Sequence, residues 1–158
     1  MPSESTLGIY IHVPFCVRKC PYCDFYSVPQ TAERMEQYGT ALCRFLRQMQ
    51  TDLPVDTIYF GGGTPSLLPV SLLEEILQTI DKTVSLQQPE ITLECNPATV
   101  NRETLQQFQE IGINRLSIGV QSLSDVQLKR LGRLHDAKTA IETVEQAAAA
   151  GFQNLSCD

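Results

Sequence analysis

The chain has 158 residues, 42% of them hydrophobic and 19% charged, with a formal net charge of -6. That length and composition suit one soluble domain with a real core. No basic cluster is long enough to follow a phosphate backbone, so nucleic acid is not expected as a partner.

The start, Met1-Pro-Ser-Glu-Ser-Thr6, has neither a basic n-region nor an apolar h-region, so no secretory signal is read there. No apolar run approaches the ~20 residues that span a bilayer, and a transmembrane segment is not expected. A cytoplasmic location follows as the expectation. Six cysteines are present, three of them within Cys16–Cys23. In a reducing compartment such a group points to a metal or redox site rather than a disulfide. Cys43, Cys95 and Cys157 are scattered among apolar neighbours and read as small buried hydrophobes.

In chain order, Gly8–Val13 reads as a strand. A helix follows from Ala32 to Gln50, with Leu42, Phe45, Leu46 and Met49 on one face. Thr57–Phe60 is a second strand, ending on three glycines. Leu72, Leu73, Ile76, Leu77 and Ile80 form the stripe of the next helix. Glu90–Cys95 is a third strand and stops at Asn96-Pro97. Leu105, Phe108 and Ile111 mark a helix closed by Gly112. Arg115–Gly119 is a fourth strand. Ser124-x-x-Gln127 has the form of a capping box opening a short helix. Asp136 caps a last helix carrying Ile141, Val144 and Ala148 and closed by Gly151; His135 beside it is assigned to the helix start, with no chemistry. Asn154–Cys157 is a fifth strand.

Gly112–Gly119 and Gly151–Asp158 share one pattern: a helix-ending glycine, a short step and a strand. This is the rhythm of βα units in a parallel sheet or barrel. The match sets Asp158 where Gly119 stands, at the C-terminal end of a strand, where α/β barrels carry their chemistry. A fifth strand with no helix after it reads as a truncated domain.

The cysteine group is Cys16-Val-Arg-Lys-Cys20-Pro-Tyr-Cys23. Thiolates are soft ligands suited to zinc or to iron–sulfur clusters. Structural zinc takes four protein ligands, and no fourth Cys or His follows nearby; His12 belongs to the first strand. Three thiolates can hold three corners of a four-iron cube and leave one iron open. Spacing alone leaves zinc as a competitor.

Other strand ends carry candidates. Gly61-Gly-Gly-Thr-Pro65 is either a ligand loop approached by backbone or a tight turn. Glu94 shares a strand face with Thr92, while Leu93 and Cys95 take the other. A carboxylate at a barrel mouth could grip an ammonium group. Gln121 and Arg133 stand next to strand-end loops, where surface decoration is the plain alternative.

Together these residues resemble the radical S-adenosylmethionine (SAM) superfamily. The resemblance rests on the cysteine spacing with Tyr22 before the last cysteine, on Tyr10-Ile-His-Val-Pro-Phe-Cys16, Gly61-Gly-Gly-Thr-Pro-Ser-Leu67 and Glu94-Cys-Asn-Pro97. Arg115-Leu-Ser-Ile-Gly-Val-Gln-Ser122 and Leu131-Gly-Arg-Leu-His135 complete it. It runs from about Gly8 to Asp158 and is most similar to the branch of oxygen-independent coproporphyrinogen III oxidases and HemW-type heme chaperones. It implies a partial (β/α) radical SAM barrel of about five parallel strands with intervening helices, residues 1–158 being the N-terminal part of that core. It implies a 4Fe-4S cluster on Cys16, Cys20 and Cys23, with SAM on the open iron cleaved to a 5′-deoxyadenosyl radical. SAM contacts carry over to Tyr10, Tyr22, Gly62, Gly63, Thr64, Glu94, Gln121, Arg133 and Asp158.

The oxidases resemble one another in a further cysteine two residues after the third, and Phe25 stands there. Lys19-Cys-Pro-Tyr-Cys-Asp-Phe25 is similar to the heme chaperones, which bind heme and pass it to respiratory proteins. The expectation is therefore a heme chaperone-like protein with SAM, heme or porphyrin and an electron donor as partners. A porphyrin-decarboxylating oxidase and an inactive fragment lacking the sixth unit and the C-terminal domain are the alternatives.

Overall fold

The computed structural model describes residues 5–158; part of the N-terminal stretch read above as free of a signal lies outside them. The elements in order are β1 (Leu7–Val13), β2 (Phe15–Cys16), β3 (Val28–Pro29), α1 (Ala32–Leu46) and β4 (Val55–Gly62). There follow α2 (Val70–Thr83), β5 (Leu86–Cys95), α3 (Arg102–Glu110), β6 (Arg115–Ile118), α4 (Asp125–Arg130), α5 (Ala137–Ala149) and β7 (Asn154–Cys157). Five strands form one sheet in the order β1-β4-β5-β6-β7, every pair parallel. The expected α/β architecture, a partial barrel of five parallel strands with intervening helices, is what the chain adopts. The pair β2-β3, which brackets the cysteine loop, was not read from the sequence.

The two sheet faces differ in chemistry. Ile11, Val13, Ile58, Phe60, Leu93, Leu116 and Ile118 are buried on the helix side against Leu73, Ile76, Ile80, Leu105 and Phe108. The other face is polar. In register it carries Tyr10, Tyr59, Thr92, Arg115 and Asn154 as one lane, with Glu94, Ser117 and Ser156 as the next. Because parallel strands put register partners on the same side, this face is the inside of the barrel. Arg115 donates across it to Thr92 Oγ1 (3.3 Å) and Ser156 Oγ (3.0 Å).

Several local expectations hold. Gly112 (φ 99°) ends α3 and the Asp136 carboxylate accepts the Thr139 N–H (2.7 Å) to cap α5, while α3 opens on a reciprocal Asn101–Thr104 capping box that was not read from the sequence. Others need correction. α1 ends at Leu46 rather than Gln50, because Gln48 and Met49 N–H bond three residues back and tighten the last turn. Its Phe45 is exposed; Met35, Gly39, Cys43 and Leu46 make the buried face. The Ser124 capping box does not form, since Gln127 Oε1 accepts from Ser122 Oγ (2.5 Å) instead. On α5, Ala140, Thr143 and Ala147 are buried, and Ile141 and Ala148 face outward. Cys157 is exposed on the edge strand β7, whereas Cys43 and Cys95 are buried as read. His135 is buried and anchored to the Val120 carbonyl (3.1 Å) rather than serving the cap. Among the described residues no helix is long and apolar enough to cross a membrane.

Leu93, wholly buried in the middle strand, tests the packing. Leu93→Ala should cost about 2–5 kcal/mol of stability by urea unfolding. A loss below about 1 kcal/mol, the range of ordinary surface changes, would contradict the assignment of this face to the core.

Candidate functional site

The C-terminal ends of the strands open on one cavity of about 310 Å³. Backbone contacts place its walls. After β4 the chain passes beside the end of β1, where Gly63 N–H donates to the Val13 carbonyl (2.8 Å) and Thr64 N–H to that of Phe15 (2.7 Å). A Cβ on Gly63 would stand 2.7 Å from the Phe15 carbonyl oxygen, so only glycine permits this approach. Gly62 takes φ 111°, and a Cβ there would meet the His12 ring at 2.6 Å. The glycine loop therefore spends its N–H groups inside the protein. What it offers the cavity is backbone clear of side chains.

Cys16, Cys20 and Cys23 line this cavity, all three thiols free and half-buried. Thr64 Oγ1 donates to Cys16 Sγ (3.7 Å), and Cys23 N–H to the Cys20 carbonyl (3.1 Å). Among the described residues no three His, Cys, Asp or Glu groups converge as a single-ion site. Cys95 also borders the cavity, but its side chain follows Leu93 to the core face, and burial pushes its thiol up to about 12. It is therefore protonated and a poor ligand.

Glu94 is held at both carboxylate oxygens. Its Oε1 accepts from the Tyr59 hydroxyl (2.9 Å) and its Oε2 from Gly62 N–H (3.0 Å). Burial and the Glu94 charge push the Tyr59 phenol up to about 12, so it stays a donor. A carboxylate has about four lone-pair sites, and two remain for a ligand.

Gly62, Gly63, Thr64, Gln121, Arg133, Asp158 and Tyr22 all border the same space. Gln121 adopts φ 65°, uncommon for a residue with a side chain, and its N–H donates to the Asp158 carbonyl (2.8 Å). That bond joins the ends of β6 and β7. Arg133 reaches Cys20 Sγ (3.9 Å), the Tyr22 hydroxyl (3.4 Å) and the Gly119 carbonyl (2.7 Å).

Tyr10 is the exception among the candidates. It is 57% exposed, stacks on Tyr59 with ring centroids 5.9 Å apart, and is not part of the cavity lining. Its hydroxyl lies 3.3 Å from His12 Nδ1, while His12 Nε2 lies 2.9 Å from the Tyr26 carbonyl. His12 thus ties the far end of the cysteine loop to β1. Tyr59 and His12 were missed as site residues. The signal was available: strand alternation sets Tyr59 on the inner face, and His12 two residues after Tyr10.

Known proteins resemble the chain in sequence and in fold. The chain is 38% identical to the heme chaperone HemW of Haemophilus influenzae, over 100% of this chain and 44% of that protein. It is 38% identical to the heme chaperone HemW of Escherichia coli, over 96% of this chain and 42% of that protein. It therefore spans less than half the length of these curated relatives. Its fold matches coproporphyrinogen III oxidase (HemN) from Escherichia coli, described as a radical SAM enzyme, with a TM-score of 0.89 at 24% identity. That match covers 98% of this chain and 37% of the oxidase. The model of the radical SAM superfamily matches residues 10–158, and the chain belongs to that superfamily.

Proposed function

We propose that this chain binds a 4Fe-4S cluster through Cys16, Cys20 and Cys23, binds SAM beside it, and serves a heme chaperone-like protein. The observation that carries the reading is the sharing of one cavity by three free thiols and the Glu94 carboxylate. Held by Cys16, Cys20 and Cys23, the cluster would supply one-electron reduction chemistry for SAM. The chain's own residues bind and orient. Glu94, held by Tyr59 and Gly62, presents a fixed acceptor for an ammonium or hydroxyl group. Thr64 steadies Cys16. Gly62 and Gly63 leave room for the ligand to lie against backbone. Gln121, Arg133, Asp158 and Tyr22 complete the wall, and Tyr10 acts from the rim by holding Tyr59 and His12.

Phe25 supports the heme chaperone side of the reading over the oxidase side. It borders the cavity yet is 61% exposed, an apolar ring where the oxidase pattern has a thiol. The identity to heme chaperones points the same way. Heme or a porphyrin, an electron donor and heme-accepting respiratory proteins are the partners this reading implies.

Anaerobic reconstitution should give about four iron and four sulfide per chain, and an EPR signal on reduction that SAM alters. Stoichiometric zinc with no such signal would sink the cluster assignment. Tyr59→Phe removes a hydrogen bond to a charged group and should weaken SAM binding about tenfold or more, with cluster content unchanged. Equal affinity by calorimetry would remove Glu94 from the SAM site. Incubated with reductant, SAM and coproporphyrinogen III, the protein should form no protoporphyrinogen, while heme should bind saturably in a spectral titration. Product formation would shift the reading to the oxidase.

A further inference from the structure

Arg133 stands beyond α4, on a turn where Gly132 takes φ 72°. That turn and the cysteine loop lock together from both sides. Arg18 of the loop donates through Nη2 to the Gly132 carbonyl. A Cβ on Gly132 would lie 2.8 Å from Pro21 Cδ, so glycine lets the two loops meet. In return Arg133 Nη1 donates to Cys20 Sγ and Tyr22 Oη, and Nη2 is fixed by the Gly119 carbonyl. Arg133 Nε is buried and without a partner.

Its charge is not neutralised by a carboxylate. Among the described residues the ion pairs are Arg47–Glu75, Arg115–Glu90 and Lys138–Glu142, and none involves Arg133. A half-buried guanidinium normally has an anionic partner, because desolvating an unpaired charge is costly. The group it points at is a cysteine, and that sulfur becomes anionic only as a thiolate, the form in which it ligates iron.

We infer that Arg133 is a positioning residue for the cluster: it donates an N–H···S hydrogen bond to the Cys20 thiolate and favours the one-electron-reduced state. The inference rests on the cluster reading above. Reduction adds negative charge to the cluster, and a fixed positive charge on a ligand sulfur stabilises the more negative state. Hydrogen bonds to sulfur are among the levers that set such potentials. This role is separate from any contact Arg133 makes to SAM, because it operates with SAM absent.

The experiment is a redox titration of the reconstituted protein without SAM, using dithionite and mediators with EPR detection. In Arg133→Leu the ratio of reduced to oxidised cluster at a given potential should fall about tenfold, a midpoint ~59 mV lower for a one-electron couple. Gly119→Ala keeps every charge but sets a Cβ 3.1 Å from Arg133 Nη2 and 3.2 Å from Gln121 Nε2, so the guanidinium must shift by a few tenths of an ångström. It should lower the midpoint in the same direction by less. Arg133→Leu with full iron and sulfide content and a wild-type midpoint overturns the inference. Should Arg133→Leu fail to hold the cluster, Gly119→Ala decides: an unmoved midpoint overturns it and a lowered one sustains it. Failure of the cluster reading would look different, since the wild-type protein would then take up no iron–sulfur centre.

Discussion

The contact between the glycine loop and the end of β1 governs the rest of the site. Two backbone hydrogen bonds, Gly63 to Val13 and Thr64 to Phe15, draw the end of β4 against the segment that leads into Cys16. Backbone can come so near only where no side chain intervenes, hence Gly63. Because these are main-chain bonds between parallel neighbours, Cys16 is set by the sheet rather than by its own loop. The Thr64 hydroxyl then reaches Cys16 Sγ as a consequence. The cysteine loop leaves this anchored point and is caught again by His12 at Tyr26, by Arg18 and Arg133 at the α4–α5 turn, and by the short β2-β3 pair. A loop of bare thiols is costly to order; here several elements of the scaffold share that cost.

The same economy shapes the inner face. Barrels commonly fill their interior with branched aliphatic layers. Here the inner lanes are Tyr10, Tyr59, Thr92 and Arg115, then Glu94, Ser117 and Ser156, with hydroxyls and one guanidinium satisfying each other. Such a face can stay hydrated or receive a polar ligand without stranding buried polar atoms. Glu94 gains from this setting: its two oxygens are held by donors from β4 alone, so the orientation of the carboxylate follows the β4-β5 register.

Much of this was legible in the sequence. Strands ending in Gly61-Gly62-Gly63, Glu94-Cys95-Asn96-Pro97 and Gly119-Val120-Gln121 could be aligned as strand ends, and a parallel βα fold gathers strand ends at one rim. The same logic puts Gly62, Glu94, Gln121 and Asp158 at one rim, and they border one cavity. The misreadings share a cause. Phe45 and Ile141 are apolar and fall at helical spacing, but burial depends on what lies opposite, and nothing among the described residues covers them. Ser124 fits a capping box by spacing, yet Ser122 competes for Gln127 at shorter range. The position of Tyr10 in a motif carried it into the site, while its stacking on Tyr59 holds it at the rim.

Charge shows most clearly what bulk composition conceals. The chain is acidic overall, at -6, yet the cavity is divided by sign. Arg18, Lys19 and Arg133 border it beside the thiols, and Glu94 and Asp158 border it at the ends of β5 and β7. Arg18, Lys19 and Asp158 are exposed, whereas Arg133 and Glu94 are half-buried and feel the weaker screening of the protein interior. Carboxylates across the strand ends from those positive groups favour a cationic ligand group there. A zwitterion with a carboxylate at one end and an ammonium at the other matches that division better than a simple anion or cation does.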